Sequence, residues 1–313
     1  MPSNSQQDPA PAPAPIRPAA TVVLLREHSS RLEVLLTRRS AQLAFMGDVW
    51  VFPGGRLDEA DLAPATTGRV LPDALESCRG RLAAMSGEAL DMATSIGLHV
   101  AGCRETFEEC GVLLARRPDG SPCDPAQIER LKLHREAVAA SGGAFLEMLQ
   151  SEDLYLDVAQ LVYWAHWVTP SRESKRYDTR FFAVEVPPGQ EASVDRNEAT
   201  EHVWITADEA FERSQQGAMK LAPPTLATLQ DLRESYARHG NLASLLAGER
   251  QREVPPILPK LLQAEGKWLV VLPWDPEYAQ LGGEACIVAD RYPGHLARQP
   301  SRREVPPRPA KST

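Results

Sequence analysis

The stretch RETFEECG, residues 104–111, places three glutamates within one predicted turn of helix. Residues 92–110 have the pattern of a single helix, and Gly111 directly after them is suited to the left-handed turn that ends many helices. Residues three and four positions apart are neighbours on a helix, so the glutamates share one face. These glutamates are Glu105, Glu108 and Glu109.

This arrangement is unfavourable for a helix on its own. Three carboxylates within one turn repel each other, and they lie at the end where the helix dipole is already negative. Each effect costs a few tenths of a kcal/mol at an exposed position, and Arg104 offsets only part of it. A divalent cation would remove the conflict, because Mg²⁺ prefers carboxylate oxygens. The alternative is an acidic helix face that is simply solvated.

The segment VFPGGRLDEAD, residues 51–61, lies upstream of the glutamates, and together the two segments resemble the Nudix box. Gly55 and Asp61 match the first part of that box, with Asp61 where the family has glutamate. RETFEECGV matches the second part, although Thr106 stands at an apolar position. Residues 62–103 separate the two parts, where the family pattern has a much shorter spacer.

An interrupted box of this kind resembles the coenzyme A diphosphatase branch of the Nudix family. FMGDVWVFPGGRLDEAD (45–61) and RYDTRFF (176–182) are similar to that branch. LLTRRS (35–40) partly resembles the signature of coenzyme A-hydrolysing members, which usually carries a further arginine where this chain has Ala44. The resemblance implies that the insertion, about residues 62–96, forms a helical lobe over the active site.

The resemblance implies an α+β fold, a Nudix-type α/β/α sandwich with a mixed sheet and the inserted helical lobe. The pattern of the chain agrees with mixed strands and helices, since strands arrive in hairpins. Strands are predicted at 19–27, 31–39, 48–55, 161–170, 179–187, 201–205, 267–276 and 284–290, and further helices at 124–150, 206–217 and 223–240. The proline-rich ends, 1–18 and 291–313, are predicted to be disordered, which leaves 19–290 as the folded domain.

The family resemblance also implies roles for individual residues. Glu105, Glu108 and Glu109 would hold Mg²⁺ or Mn²⁺, with a carbonyl ligand from Gly55, and Arg104 would orient the glutamates through a bidentate pair. Gly54 and Gly55 would let the backbone turn sharply and would contribute to substrate binding. Asp61 is a weaker candidate for a metal ligand or a base, and Asp58 is a minor alternative to it.

Outside the box, Arg39 and Arg180 are candidate contacts to phosphate or adenine-ribose, and the alternative for each is an ion pair on the surface. Glu198 and Glu201 either supply an extra carboxylate or belong to a polar loop. Structural roles are predicted for two histidines, which lie among apolar residues, and for five tryptophans: His166, His202, Trp164, Trp167, Trp204, Trp268 and Trp274. Cys103 and Cys110 are predicted to be inert.

The overall composition excludes several classes of protein. The 313 residues carry a net charge of −8, which argues against non-specific binding to nucleic acid or to acidic membranes. No apolar run is long enough to cross a membrane, and the N-terminus lacks the order of a signal peptide. Five scattered cysteines without CxxC spacing favour a reducing, cytoplasmic compartment. Several Nudix relatives are dimers, so a homodimer is possible.

The function implied by the resemblance is hydrolysis of a nucleoside diphosphate linked to another moiety. The small-molecule substrate that best fits the motifs is coenzyme A or an acyl-coenzyme A. One alternative is a diphosphatase for ADP-ribose, NADH or a related dinucleotide. Another is a non-catalytic domain that senses a nucleotide, although such domains usually lose the glutamates that this chain keeps.

Overall fold

A computed structural model of the protein describes residues 14–42, 47–63, 68–171, 173–193, 199–264, 267–282, 284 and 303–305. The strands within these ranges are β1 (Ile16–His28), β2 (Arg31–Arg39), β3 (Trp50–Val51), β4 (Gly54–Arg56), β5 (Ala115–Arg116), β6 (Tyr155–Leu156), β7 (Val162–Val168), β8 (Arg176–Glu185), β9 (Ala199–Ile205), β10 (Pro256–Ile257), β11 (Lys260–Ala264), β12 (Lys267–Val271) and β13 (Arg303–Val305). The α-helices are α1 (Pro72–Cys78), α2 (Met92–Cys110), α3 (Pro125–Leu131), α4 (Arg135–Ala140), α5 (Gly142–Ser151), α6 (Ala207–Gln215), α7 (Pro223–His239) and α8 (Leu242–Glu249).

The central sheet is mixed and runs in the order β10-β7-β8-β1-β2-β3, with β4 also paired to β1 and β9 to β2. Strand β1 is antiparallel to β2 and parallel to β8, and β7 is antiparallel to β8. The predicted hairpin of the first two strands is therefore confirmed, and so is the α+β fold with a mixed sheet. A second, three-stranded sheet has the order β11-β12-β13.

Strand β1 packs against helices on both faces, which explains its unbroken apolar run. Val22 and Leu24 belong to one hydrophobic core, and Val23 and Leu25 belong to the other. The first core includes residues of α2 together with α1, α3, α4 and α5. The second includes residues of α6, α7 and α8. These two cores and the sheet between them give the three layers that the sequence predicted.

Helix α2 has the predicted bounds because both of its ends are marked in the sequence. Asp91 caps its N-terminus by accepting a hydrogen bond from the Thr94 amide at 2.9 Å. Gly111, directly after its last residue, has a left-handed φ of 65°. Gly102 in its middle allows close contact with β1, since a Cβ there would lie 3.0 Å from Cγ2 of Val22. The helix therefore presses directly on the sheet.

The insertion packs against the N-terminal half of α2. Cys78 at the end of α1 accepts a hydrogen bond from the Ser95 hydroxyl at 2.8 Å through its backbone oxygen. Leu82, in the turn that follows α1, is fully buried in the first core. The contact of Cys78 with Ser95 lies at the opposite end of α2 from the glutamates, and the position of the lobe over the active site stays a prediction.

Several predicted boundaries differ from the structure. Residues 124–150 form three helices and a short 3-10 turn instead of one helix, and 48–55 divides into β3 and β4. Helix α8 was not predicted. Strand β1 begins three residues before the predicted domain start, and β13 lies within the tail that was predicted to be disordered.

Other predictions fall on residues outside the described ranges. The rest of the C-terminal tail, residues 1–13, Ala44, Glu198 and all but Glu284 of the predicted strand 284–290 lie there. Within the part of the chain that the structure describes, no helix combines the length and apolarity needed to span a bilayer.

Candidate active site

The C-terminal end of α2 brings Glu105 and Glu109 against β4, with Glu108 beside them on the same turn. The amide of Gly54 donates a hydrogen bond to Oε2 of Glu109 at 3.2 Å. A Cβ on Gly55 would lie 2.2 Å from Oε1 of Glu105, so only glycine leaves room for this carboxylate. Glu105 and Glu109 are buried, and Glu108 is partly buried. The two halves of the motif are thus in contact across the insertion.

Arg104 is the positive centre of this cluster. Its Nε and Nη2 donate hydrogen bonds to the two carboxylate oxygens of Asp61 at 2.8 and 3.0 Å, and Nη2 also donates to the Arg56 backbone oxygen at 3.0 Å. Its Nη1 lies 3.0 Å from Oε1 of Glu105 and 3.1 Å from Oε2 of Glu108. One guanidinium therefore contacts three carboxylates.

These contacts correct two sequence-based roles. The bidentate partner of Arg104 is Asp61 and not a glutamate, although Arg104 does contact two of them. Asp61 is only 1% exposed and also accepts a hydrogen bond from the Asp58 amide at 2.8 Å. Its oxygens are thus occupied by protein donors, which places it in support of Arg104. Asp58 caps the short 3-10 helix Glu59–Leu62 instead of facing the glutamates.

The cluster carries more negative than positive charge. Burial raises the pKa of Glu105 well above its usual range; Arg104 opposes this effect, and the neighbouring Glu108 carboxylate adds to it. Burial would lower the pKa of Arg104, but the hydrogen bonds to Asp61 and the nearby carboxylates outweigh that effect and raise it. Asp61 and the three glutamates outnumber the two guanidinium groups near them, those of Arg104 and Arg135, which leaves an excess of negative charge.

The donor set fits a hard divalent cation. Among the described residues, no three Asp, Glu, His or Cys side chains already converge as a formed metal centre. Nevertheless, three carboxylates project from a single turn, and the space above Gly55 is kept open for one of them. Carboxylate oxygen is the donor that Mg²⁺ and Mn²⁺ prefer, and a cation would offset the excess charge.

The end of α2 receives further support that the sequence did not reveal. Nε of Arg135, on α4, donates a hydrogen bond to the Glu108 backbone oxygen at 2.8 Å, and its Nη1 donates to the Ser193 hydroxyl at 3.1 Å. The Ser193 amide donates to the Cys110 backbone oxygen at 2.8 Å. The last turn of α2 has three glutamates and no basic residue of its own after Arg104, which indicates that positive charge must come from elsewhere. No local pattern identifies Arg135 as its source.

Arg39 and its neighbour Arg38 differ in their surroundings. Arg38 forms ion pairs with Asp48 at 2.6 Å and with Glu201 at 3.0 Å. Arg39 is half-buried at the end of β2, where the register shifts, and its Nε has no hydrogen-bond partner among the described residues. This Nε is buried, whereas Glu201 is exposed and pairs with Arg38.

Arg180 lies in a buried network beneath the insertion. It is 1% exposed, its Nη1 is 2.8 Å from Oδ2 of Asp178, and its Nη2 donates to the Ala83 backbone oxygen. Asp178 also contacts Nε2 of His166. The prediction that Arg180 contacts substrate is therefore corrected: these contacts tie the insertion to β8. They also give His166 the structural role that the sequence favoured.

The remaining candidates divide by exposure. Trp164 and Trp167 are buried in the second core, as predicted, whereas His202, for which a structural role was predicted, is exposed. Burial raises the pKa values of the Cys103 and Cys110 thiols, in agreement with their predicted inertness.

Comparisons with known proteins agree with this geometry. The family model described as the NUDT19 Nudix domain matches residues 11–232. The acyl-coenzyme A diphosphatase NUDT19 of Gallus gallus is 29% identical over 278 residues, covering 79% of this chain and 73% of that protein. Its Homo sapiens counterpart is 27% identical over 279 residues, covering 79% and 72%. The crystal structure of a NUDIX hydrolase from Alicyclobacillus acidocaldarius aligns with a TM-score of 0.57 and 27% identity, covering 75% of this chain and 96% of that one.

Proposed function

The chain belongs to the Nudix hydrolase family, and we propose that it hydrolyses the diphosphate of coenzyme A or an acyl-coenzyme A with a divalent cation. The observation that carries this proposal is the contact between the glutamate turn of α2 and the glycines of β4. The acyl-coenzyme A diphosphatase names of the relatives support the choice of substrate. In this reaction the oxygen of water forms a bond to one phosphorus, and the bond from that phosphorus to the bridging oxygen breaks.

Glu105, Glu108 and Glu109 would hold Mg²⁺ or Mn²⁺, with the Gly55 backbone oxygen as a further candidate ligand. When bound, the cation would neutralise charge on the diphosphate and make the attacking water more acidic. Arg104 keeps Glu105 and Glu108 in place, and Asp61 holds the guanidinium from the other side. The protein residues therefore act mainly by positioning carboxylates before substrate arrives.

We propose Arg39 as a contact to a phosphate of the substrate. Its guanidinium keeps an unused donor, whereas the donors of Arg38 are engaged by two carboxylates. A guanidinium suits phosphate because its donors lie in a fixed planar fork. The assignment of Glu198 as an additional catalytic carboxylate stays a prediction. The homodimer and the cytoplasmic location also stay predictions.

Product analysis tests the proposed reaction. Purified protein would be incubated with Mg²⁺ or Mn²⁺ and, separately, coenzyme A, acetyl-coenzyme A, ADP-ribose, NADH and diadenosine polyphosphates. We expect phosphopantetheine and adenosine 3′,5′-bisphosphate from coenzyme A, and loss of both products in Glu109→Gln. Glu147→Gln is the matched control, because Glu147 is exposed on α5, and it should retain wild-type turnover.

The other outcomes point to the alternatives. AMP released from ADP-ribose or NADH, without cleavage of coenzyme A, would identify a dinucleotide diphosphatase that uses the same glutamates. Tight binding of one compound without cleavage of any would favour a nucleotide sensor. Full turnover of Glu109→Gln would refute the assigned roles of the glutamates.

A further inference from the structure

Hydrogen bonds connect the chain at and just after the C-terminal end of α2 to the loop that follows β8. The side-chain amide of Gln190 exchanges two hydrogen bonds with the backbone of Leu113, at 2.8 and 2.9 Å. Nζ of Lys132 donates to the Glu191 backbone oxygen at 3.0 Å. Several contacts beyond the helix end thus hold residues 190–193 beside the turn that carries the glutamates.

Arg135 joins this loop to the glutamate turn itself. Its Nε donates a hydrogen bond to the Glu108 backbone oxygen, and its Nη1 donates to the Ser193 hydroxyl. The Ser193 amide in turn binds the Cys110 backbone oxygen. Carbonyls at a helix C-terminus lack partners within the helix, and a cation there also opposes the negative end of the dipole. Arg135 supplies both a donor and a positive charge to a turn that carries three carboxylates.

We propose that Arg135 is a positioning residue for the divalent cation, acting through the backbone of Glu108. This inference rests on the proposed function, in which Glu105, Glu108 and Glu109 hold that cation. Because a helix turn is rigid, fixing one of its carbonyls restricts the direction of both neighbouring carboxylates. The bridge to Ser193 prevents the turn from rotating or fraying at its end.

Removing a group that orients a metal ligand without itself contacting the metal typically lowers metal affinity or activity by about 10–100-fold. We therefore expect Arg135→Gln to weaken Mn²⁺ binding by at least about tenfold, and to lower kcat more than it changes KM for coenzyme A. Arg135→Lys keeps the charge and one donor and should lie between the wild type and Arg135→Gln. Ser193→Ala removes only the hydroxyl and should have a smaller effect in the same direction.

The direct readout is the affinity for Mn²⁺ without substrate. It is measured by titrating the full-length protein and recording the electron paramagnetic resonance signal of free Mn²⁺. Turnover of coenzyme A would be measured in parallel at saturating Mn²⁺. The control is Arg130→Gln, which removes an arginine that pairs with Glu152 at an exposed site on α3. Circular dichroism and thermal unfolding without metal would show which variants are folded.

Unchanged Mn²⁺ affinity in a folded Arg135→Gln variant would overturn the inference. If that variant does not fold, Arg135→Lys and Ser193→Ala decide the question, and wild-type affinity in both would overturn it equally. A wild-type protein that binds Mn²⁺ but cleaves no coenzyme A would refute the proposed substrate, while weaker binding by the variants would still support the role of Arg135. A wild-type protein that binds no Mn²⁺ would overturn both.

Discussion

Glu105 shows how single residues at this site balance opposing costs. Its carboxylate is buried, which disfavours its charged form, yet it lies within 3.0 Å of Arg104 and directly above Gly55. Hydrophobic residues of similar size would remove the electrostatic cost but leave Arg104 with one partner fewer. The buried carboxylate thus carries an electrostatic cost that the proposed cation would offset.

Gly55 provides a direct test of this packing. Gly55→Ala places a Cβ 2.2 Å from Oε1 of Glu105, so the carboxylate or β4 must move. Overpacking of this kind costs roughly 1–3 kcal/mol, and the displaced group is a proposed metal ligand. We expect kcat/KM for the diphosphate substrate to fall at least about tenfold, which corresponds to about 1.4 kcal/mol, when measured at saturating Mn²⁺.

Gly143→Ala is the matched control for Gly55→Ala. Gly143 lies in α5, and the nearest atom to a Cβ there is the Ser141 hydroxyl at 3.6 Å. Alanine also favours a helix over glycine. This variant should keep wild-type kcat/KM and equal or higher thermal stability. Similar activity in both variants would show that Glu105 does not need its observed position.

His99 predicts a pH dependence of stability. It is buried on α2, its Nδ1 bonds to the Ser95 backbone oxygen at 2.7 Å, and its ring packs against Phe182. Burial lowers the pKa of His99 to about 4 from its ordinary value near 6.5. As pH falls, His99 is therefore protonated in the unfolded chain before it is protonated in the folded protein. The contribution of neutral His99 to the free energy of unfolding is complete above pH 6.5 and is lost as pH falls toward 4. The loss is at most about 3 kcal/mol.

The His99 contribution can be isolated by difference. Denaturant unfolding of the wild type and of His99→Gln would be measured from pH 7 to pH 4, because other groups titrate equally in both proteins. The stability advantage of the wild type over the variant should shrink as pH falls. A constant difference across this range would mean that His99 is not held in its neutral form.

At the scale of elements, the insertion depends on a polar connection beneath it. Arg180 on β8 contacts Asp178, and it also binds the Ala83 backbone oxygen in the turn after α1. Breaking a buried ion pair by removing one partner typically costs about 3–5 kcal/mol. The insertion is therefore fixed to the sheet as well as to α2, and it is not held by apolar contacts alone.

Arg180→Met should loosen the insertion selectively. Methionine fills part of the space but leaves the Ala83 oxygen without its donor and Asp178 with His166 as its remaining partner. We expect faster amide hydrogen exchange in residues 79–91, measured by mass spectrometry, while α7 on the opposite face of the sheet keeps its protection. The predicted loss of stability is about 3–5 kcal/mol.

Arg233→Met is the control for Arg180→Met. Arg233 pairs with Asp208 at 2.7 Å on the surface, where both side chains are exposed. Such pairs contribute about 0–1 kcal/mol, so exchange in residues 79–91 should stay as in the wild type. Equal effects of the two substitutions would show that the Arg180 network does not anchor the insertion.

Helices whose ends carry local signals could be predicted, and those that depend on tertiary contacts could not. Helix α2 was predicted with its correct bounds, since Gly111 marks its end, and Thr206 with Glu209 formed the predicted capping box of α6. The prediction of one helix over residues 124–150 overlooked Ser141, Gly142 and Gly143, which mark the break between α4 and α5. The proposed role of Arg135 depends on α4 packing against α2, where the guanidinium reaches the Glu108 backbone oxygen.

On the scale of the whole molecule, the sheet brings the site together from distant parts of the chain. The motif paired Gly55 with Glu105 across a long insertion, and the structure brings the two residues into contact. It could not identify Arg135 or Ser193, which belong to segments without a recognisable pattern. Arg180 was misassigned because strand position alone does not distinguish a binding arginine from a buried ion pair.

The N-terminal segment tests how far the fold extends beyond the predicted domain start at residue 19. Strand β1 begins at Ile16, pairs there with Arg176 of β8, and its Pro18 oxygen accepts a hydrogen bond from the Leu57 amide at 3.0 Å. Leu57 directly follows β4, so this bond supports the glycines of the site. Removing residues 1–18 should therefore lower both the melting temperature and kcat/KM.

Removing only residues 1–13 is the matched control, since this segment is polar and proline-rich and precedes β1. It should leave the melting temperature and kcat/KM unchanged. Each lost hydrogen bond contributes about 0.5–1.5 kcal/mol, and a change of 1 kcal/mol shifts the melting temperature of a large domain by about 2–4 °C. The longer truncation should therefore melt several degrees below the shorter one. If the two truncated proteins melt together and have equal activity, residues 14–18 contribute nothing to the position of β4.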